Sequence, residues 1–178
     1  MWTSFIGFMT SGKSSVTRRL QAVTNRPALS LDQVIAEKAG IVVAEIFATG
    51  GEAAFRQMEA ETLAGLDPER PLVLDTGGGL VQAPAAVNLL RSRGVVIWLD
   101  APWEVLRARL KESDETTRPL IGRLGWAGLE ELYRRRRRLY AGAADFRLRS
   151  DHGAVDEIAD KAMLRSLQWE RRREEARQ

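Results

Sequence analysis

Residues 7–14 have the types and spacing of a phosphate-binding loop. They read Gly-Phe-Met-Thr-Ser-Gly-Lys-Ser, which fits the pattern G-x-x-x-x-G-K-[ST]. Glycines allow a tight loop whose backbone N–H groups surround a phosphate, and a lysine at this place reaches the β- and γ-phosphates. The serine that follows the lysine is a ligand for Mg²⁺. The sequence therefore predicts ATP and Mg²⁺ as bound species, with nucleotide-binding residues Gly7, Thr10, Ser11, Gly12, Lys13, Ser14 and Ser15.

A phosphate loop indicates a nucleotide but leaves the reaction open. The GTPase signature N-K-x-D is missing, and so is D-x-x-G after the second predicted strand. A chain of 178 residues argues against a motor protein or a transporter ATPase. A small-molecule kinase is the best remaining class, and a decayed loop that binds nothing is the alternative.

The composition excludes several other kinds of site. The chain has no cysteine and only one histidine, which argues against disulfides, zinc fingers, thiol nucleophiles and a Ser–His–Asp triad. The formal net charge of +3 suits a protein that handles small anionic molecules. No apolar run approaches the roughly 20 residues that span a bilayer, and the N-terminus lacks signal-peptide features. We therefore expect a cytoplasmic protein that has no membrane partner.

Short apolar segments alternate with longer amphipathic segments along the whole chain. This alternation predicts an α/β fold in three layers, with a five-stranded parallel sheet and helices on both faces, formed by one domain over residues 1–178. The helical stretches 43–49 and 52–66 are separated by two glycines, and the polar segment 112–128 is predicted to be irregular. The predicted strands are residues 2–6, 28–31, 71–75, 95–99 and 146–149.

In parallel sheets, ligands bind at the carboxyl ends of the strands. This rule selects the loop at 7–14, Asp32 after the second strand, residues 75–79 after the third and Asp100 after the fourth. Asp32 is also predicted to cap the N-terminus of the helix that follows it. Asp100 is interpreted as the cap of its own following helix rather than as a catalytic group.

Further motifs, in order over about residues 3–160, resemble those of the shikimate kinases. Residues 40–47 are similar to the family's G-x-x-x-x-E-I-F, and residues 51–59 to its G-E-x-x-F-R-x-x-E. The T-G-G-G at 76–79, the lid motif R-P-L at 118–120 and the R-x-x-x-Y at 136–140 are similar too. The resemblance implies a P-loop fold of the nucleoside-monophosphate-kinase type, with a mobile lid at about residues 111–128. It also implies transfer of the ATP γ-phosphate to the 3-hydroxyl of shikimate, a precursor of aromatic amino acids.

The same resemblance implies roles for individual residues. Asp32 is implied to hold the shikimate hydroxyls and to help deprotonate the attacking one, while Arg56 and Arg136 clamp the carboxylate. Planar guanidinium forks are well suited to fixing a carboxylate. The implied catalytic residues are Lys13, Asp32 and Arg118. The implied substrate-binding residues are Asp32, Arg56, Gly77, Gly78, Gly79 and Arg136, and Lys111 stands where the family often has an arginine that stacks on adenine.

The chain departs from the family pattern at the end of the second strand. The family usually has D-x-D there, whereas this chain has Ser30-Leu31-Asp32. A serine cannot supply the negative charge that the first aspartate directs at the hydration shell of Mg²⁺. Asp75 ends the third strand and is the candidate replacement, so the predicted metal-binding residues are Ser14 and Asp75. The alternative is that Asp75 only caps the turn after its strand.

Two other functions stay open. A related small kinase for another hydroxylated acid, such as gluconate, could use the same arginine clamp, although the T-G-G-G motif and the setting of Arg56 favour shikimate. A kinase-like domain that senses a ligand without turnover is the second possibility. Ser30 favours that domain, whereas Lys13, Ser14 and Arg118 argue against it.

Five consecutive arginines at 134–138 raise the question of a nucleic-acid partner. They lie in a predicted helix and are therefore spread around most of its circumference, so they cannot all face one phosphate backbone. We expect one of them to face the site and no nucleic acid to bind. A small-molecule substrate is then the expected partner, and a monomer is the expected oligomeric state.

Overall fold

A parallel five-stranded sheet forms the centre of the structure, which is a computed structural model describing residues 1–112 and 119–176. The strand order is β2-β3-β1-β4-β5, and all four neighbouring pairs are parallel. Every residue of β1 and β4 is buried, as expected for strands covered on both faces. The predicted number and direction of the strands are confirmed. The strands are β1 (Trp2–Ile6), β2 (Ala28–Ser30), β3 (Leu72–Asp75), β4 (Gly94–Asp100) and β5 (Phe146–Arg149).

Helices cover both faces of the sheet and give the three predicted layers. The core on one face contains Val16 and Leu20 of α1 and Ile158 of α7, and the core on the other contains residues of α2 to α6. In the part of the chain that the structure describes, no helix has the length and apolar character of a membrane span. The helices are α1 (Lys13–Thr24), α2 (Leu31–Ala39), α3 (Val43–Ala64), α4 (Pro84–Arg93), α5 (Trp103–Glu112), α6 (Pro119–Ala143) and α7 (Val155–Glu175), with a 3₁₀ turn at Leu80–Gln82.

The segment predicted to be irregular is helical wherever the structure describes it. Residues up to Glu112 belong to α5, and α6 already runs from position 119, so the expectation of an irregular stretch is wrong over 119–128. Ile121, Leu129 and Leu132 recur at helical spacing and are buried, which overrides the glycine content. Gly125 interrupts this helix at φ 61°, and Gly51 interrupts α3 at φ 70° between the two predicted stretches.

The start of α2 differs from the prediction. Ser30, not Asp32, is the N-cap residue, and its side chain accepts a hydrogen bond from the backbone N–H of Gln33 at 3.4 Å. Asp32 lies in the first helical turn, where the helix dipole favours a negative charge. Because Ser30 supplies the cap, the carboxylate of Asp32 is left for the site.

The arginine run on α6 is dispersed, as predicted. Arg136 points inward and is buried, Arg137 donates to Asp100, and Arg134 donates to Glu130. Asp100 also accepts a hydrogen bond from Nε of Arg147 at 2.8 Å, and α5 begins only at Trp103. The interpretation of Asp100 as the cap of that helix is therefore wrong.

Replacing the cap residue tests its structural role. Ser30→Ala removes the acceptor for the N–H of Gln33, and we expect the free energy of unfolding to fall by about 0.5–1 kcal/mol. Urea unfolding monitored by circular dichroism measures the loss. Ser30→Asp is the matched control, since aspartate caps as well as serine. Equal destabilisation by both variants would contradict the assignment.

Candidate active site

The phosphate loop connects β1 to α1 and packs against the end of β4. Gly7 has φ +151°, and a Cβ there would lie 2.5 Å from the carbonyl oxygen of Leu99, so only glycine fits. Gly12 has φ +92° and directly precedes α1. The loop therefore ends at a helix N-terminus, whose N–H groups and dipole attract an anion. Lys13 is buried, and its ammonium donates to the carbonyl oxygens of Gly7 at 3.2 Å and of Phe8 at 3.3 Å.

A hydroxyl and a carboxylate meet directly beside this loop. Ser14 Oγ donates to Asp75 Oδ2 at 2.5 Å, and Asp75 is buried. In the sheet, Ser30 of β2 pairs in register with Asp75 of β3. The shikimate kinase pattern places an aspartate at the position of Ser30, at the end of β2. In this chain the carboxylate is instead that of Asp75, at the end of the neighbouring strand β3. The donor set fits Mg²⁺, which takes few protein oxygens together with phosphate and water ligands.

Beside the phosphate loop lies a second group of polar residues, around Arg56, whose guanidinium is held by two glutamates. Arg56 lies on α3, and its guanidinium pairs with Glu59 one turn later and with Glu52 one turn earlier, the latter at 3.2 Å. Gln82 donates to the same Glu52 oxygen at 3.2 Å. A Cβ on Gly79 would overlap the guanidinium of Arg56, so the glycine makes room for it.

Two carboxylates approach each other on the other side of Arg56. A Cβ on Gly77 would lie 2.6 Å from Asp32 Oδ1 and 2.8 Å from Glu59 Oε1. Both oxygens are buried, and neither has a hydrogen-bond partner in residues 1–112 and 119–176. Burial raises the pKa of Asp32; the charge of Asp75 adds to this, while Lys13 and Arg56 oppose it. Burial likewise raises the pKa of Glu59, against the attraction of Arg56.

Arg136 brings a second positive charge to the same pocket. It is 5% exposed, and its Nε has no hydrogen-bond partner in the described part of the chain. Burial lowers the pKa of Arg136, and repulsion from Arg56 adds to the effect. Tyr140, one turn later on α6, donates its hydroxyl to the carbonyl oxygen of Gly78 and so attaches α6 to the glycine triplet. Two guanidiniums that repel each other are well placed to share one carboxylate.

The glycine triplet connects this pocket to the phosphate loop. A Cβ on Gly78 would lie 3.3 Å from the carbonyl oxygen of Gly7 and 3.6 Å from the backbone nitrogen of Met9. Thr76, which precedes the triplet, donates its hydroxyl to the carbonyl oxygen of Phe5 at 2.8 Å. The pocket and the loop are thereby fixed to the same ends of β1 and β3.

The structure thus brings most of the predicted residues together. The side chains of Asp32, Arg56 and Arg136 and the glycines at 77–79 meet beside the loop that contains Lys13 and Ser14. Ser15 is exposed in the first turn of α1, and Lys111 is exposed in the last turn of α5. Arg118 lies outside the described residues, so its implied role stays a prediction. No group of three or more His, Cys, Asp or Glu suitable for a metal occurs within residues 1–112 and 119–176.

Three residues in or near the site received no role from the sequence. Glu59 lies three residues after Arg56 in the quoted motif, and that helical spacing could have indicated an ion pair. Tyr140 stands four residues after Arg136 in a second quoted motif. Arg109 donates to the phosphate loop from α5, and no pattern in the sequence indicated it.

Comparison with known proteins identifies the family of this chain. A family model described as shikimate kinase matches residues 9–166. The chain belongs to the shikimate kinase family. A relative from Aquifex aeolicus is 36% identical over 163 residues, covering 92% of this chain and 94% of its own length. One from Synechococcus sp. is 40% identical over 159 residues, covering 89% and 80%.

A solved structure of this family superposes closely on the chain. It is shikimate kinase from Acinetobacter baumannii in complex with shikimate, with a TM-score of 0.85 and 30% sequence identity. The match covers 94% of this chain and 93% of that one. The family expected from the sequence motifs is confirmed, together with the α/β fold and its five parallel strands.

The raised pKa of Glu59 predicts a pH-dependent stability difference. A carboxyl whose pKa is raised by folding stabilises the protein at pH values below its ordinary pKa, and this stabilisation is lost as the pH rises through the raised pKa. Glu59→Gln does not ionise. We therefore expect the unfolding free energy of the variant to rise relative to wild type as the pH increases from the ordinary pKa of a glutamate through the raised pKa of Glu59.

Urea unfolding at several pH values measures this difference. Glu61→Gln is the matched control, because Glu61 is an exposed glutamate of the same helix whose carboxylate accepts only from Gln57 in the described contacts. A difference between Glu59→Gln and wild type that stays constant over this pH range would contradict the raised pKa.

Proposed function

We propose that this chain transfers the γ-phosphoryl group of ATP to the 3-hydroxyl of shikimate. The observation that carries the proposal is the pocket beside the phosphate loop, where Arg56 and Arg136 and the carboxylates of Asp32 and Glu59 surround a glycine triplet. Shikimate is a small anionic polyol, with a carboxylate at one side of its ring and hydroxyls at the other. The pocket offers positive charge for the first and a carboxylate acceptor for the second.

The arginine pair provides recognition of the acceptor. Arg56 is oriented by Glu52 and Glu59, and Arg136 is buried near it with an Nε that has no hydrogen-bond partner among the residues that the structure describes. A bound carboxylate would relieve the repulsion that helps to lower the pKa of Arg136. Binding of the carboxylate form of the substrate would therefore place a negative charge beside two guanidiniums that repel each other.

Asp32 is proposed to accept the hydroxyl proton. Its Oδ1 is buried without a hydrogen-bond partner in the described residues, and its raised pKa brings it closer to the pH at which a base operates. Lys13, which lowers that pKa by its charge, is proposed to turn from the loop carbonyls to the transferring phosphoryl group. Phosphoryl transfer requires this kind of positioning and charge neutralisation more than covalent chemistry.

Ser14 and Asp75 are proposed to hold Mg²⁺. An ion bound there would neutralise the negative charge that develops on the transferring phosphoryl group. The hydroxyl of Ser14 already donates to Asp75, which leaves its oxygen lone pairs for the ion. Asp75 is proposed to supply the charge that Ser30 lacks. The roles of Arg118 in the lid, of Lys111 at adenine and of the backbone amides of the glycine triplet stay predictions, as do the monomeric state and the cytoplasmic location.

The direct test is release of ADP from ATP and Mg²⁺ with shikimate, with gluconate and with no acceptor. We expect turnover with shikimate, and no more than background hydrolysis in the other two reactions. Turnover with gluconate alone would contradict the acceptor assignment. Binding of ATP or shikimate without any turnover would instead support a ligand-sensing domain.

Enlarging Gly79 tests the placement of the arginine clamp. In Gly79→Ala the new methyl group overlaps the guanidinium of Arg56, a flexible end that can move aside. We expect the dissociation constant for shikimate to rise about ten- to hundredfold, because a charged hydrogen-bonding pair contributes about 1.5–3 kcal/mol.

Calorimetric titration with shikimate and with ADP measures both affinities. The affinity for ADP should stay near that of wild type. Gly142→Ala is the control, since a Cβ there meets nothing within 4 Å. Unchanged affinity for shikimate in Gly79→Ala would mean that Arg56 does not hold the substrate.

Exchanging the carboxylate between strands tests the metal assignment. Asp75→Asn keeps an acceptor for Ser14 but removes the charge, and we expect the Mg²⁺ concentration for half-maximal activity to rise by about tenfold. Ser30→Asp combined with Asp75→Asn restores a carboxylate on the neighbouring strand in the paired register, and we expect it to recover most of the loss.

Electron paramagnetic resonance of Mn²⁺ with ADP gives a second readout that does not depend on activity. Mn²⁺ should bind more weakly to Asp75→Asn and regain affinity in the double variant. Wild-type dependence on both ions in Asp75→Asn would leave Asp75 with only a structural role at its turn.

A further inference from the structure

One guanidinium bridges two loops that border the phosphate site. Arg109 is half-buried in the last turn of α5. Its Nη1 donates to the carbonyl oxygen of Thr10 at 3.2 Å, and its Nη2 donates to the carbonyl oxygen of Ser150 at 2.7 Å. Thr10 belongs to the phosphate loop, and Ser150 begins the turn between β5 and α7. The side chain therefore connects two segments that are 140 residues apart in sequence.

The phosphate-loop end of this bridge is a residue in a strained conformation. Thr10 has φ 58°, in the left-handed region that β-branched residues rarely occupy. Its hydroxyl shares one proton between the carbonyl oxygen of Met9 at 2.7 Å and that of Leu106, on α5, at 3.2 Å. Helix α5 thus contacts the side chain of Thr10 through Leu106 and its carbonyl through Arg109. Such a conformation persists only where its surroundings enforce it.

The other end of the bridge is fixed to the sheet. The backbone N–H of Ser150 donates to the carbonyl oxygen of Asp100 at 2.8 Å. The Asp100 carboxylate is itself buried and receives Arg137 and Arg147. The backbone of Ser150 is therefore fixed to the end of β4, and Arg109 links the carbonyl oxygen of Thr10 to it.

The turn at 150–153 lies on the side of the phosphate loop that the acceptor pocket leaves open. The acceptor pocket lies over β2 and β3, with Asp32 after β2 and the glycine triplet after β3. The phosphate loop follows the central strand β1. The remaining space at the carboxyl edge of the sheet lies over β4 and β5, where α5 and the turn at 150–153 border the loop. A nucleotide whose phosphates occupied the loop would have this space for its nucleoside.

We propose that Arg109 is a positioning residue for the nucleotide. Its hydrogen bonds to the carbonyl oxygens of Thr10 and Ser150 keep the phosphate loop in the conformation that surrounds the phosphates. They also set the distance between that loop and the turn at 150–153, on the nucleoside side of the site. The proposal rests on the proposed kinase function only in taking an adenine nucleotide as the ligand. It goes beyond that function in assigning the loop geometry to a residue that touches neither the phosphates nor the acceptor.

Titration of purified full-length variants with ADP and Mg²⁺ tests the proposal. Arg109→Met keeps the aliphatic bulk and removes both hydrogen bonds. We expect its dissociation constant for ADP to rise about tenfold, while the dissociation constant for shikimate stays within about twofold of wild type. Arg109→Lys keeps the charge but not the fork, and we expect about a threefold rise for ADP.

Arg107→Met is the matched control. Arg107 is exposed on the same helix, and its guanidinium stacks over Trp126 rather than reaching the phosphate loop. Its affinity for ADP should equal that of wild type. Thermal unfolding of each variant shows that the titrated protein is folded.

Two results would overturn the proposal. One is an unchanged affinity for ADP in folded Arg109→Met. The other is an equal loss of ADP and shikimate affinity, which would show a general structural role. If Arg109→Met does not fold, Arg109→Lys decides, and wild-type ADP affinity in that variant contradicts the proposal. Failure of the kinase function is distinguishable, because wild type would then bind ADP without turning over shikimate.

Discussion

The ion pairs of Arg56, of which the pair with Glu59 is buried, determine how the acceptor side of the site is built. One guanidinium is held by Glu59 and Glu52, one helical turn to either side, and it presses against the backbone at Gly79. A charge withdrawn from water needs such partners, since breaking a buried pair costs about 3–5 kcal/mol. Glycine at position 79 is required by this arrangement, and glycine at position 77 is required by the carboxylates of Asp32 and Glu59 beside it.

The same crowding shifts the pKa values of the site residues and lowers the stability of the folded protein. Two carboxylates are brought together with raised pKa values, and two arginines are brought together although they repel each other. Several of their buried nitrogen and oxygen atoms have no hydrogen-bond partner in the described residues. An interior of this kind lowers stability, and functional sites are where perturbed groups of this kind concentrate. A substrate with a carboxylate and hydroxyls can satisfy those atoms.

Much of this arrangement could be predicted from the sequence, because strong local patterns decide it. The phosphate loop and the buried strands β1 and β4 are such patterns, and so are the carboxyl-edge positions of Asp32 and the glycine triplet. The start of α6 could not be predicted, because burial of Ile121 and Leu129 outweighs the glycines around them. The cap at Ser30 depends on a competition with Asp32 two residues away, which only geometry resolves. The bridge by Arg109 joins segments distant in sequence, and no local pattern reports it.

Recognition of a carboxylate by Arg56 and Arg136 is the interaction on which the proposed function depends most. The most direct measurement compares binding of shikimate with binding of its methyl ester, which keeps the ring and the hydroxyls but carries no charge. With charged hydrogen bonds contributing about 1.5–3 kcal/mol each, we predict that the ester binds at least about a hundredfold more weakly in calorimetric titration of the wild-type protein. Equal affinity for shikimate and its ester would mean that the two arginines do not recognise the carboxylate.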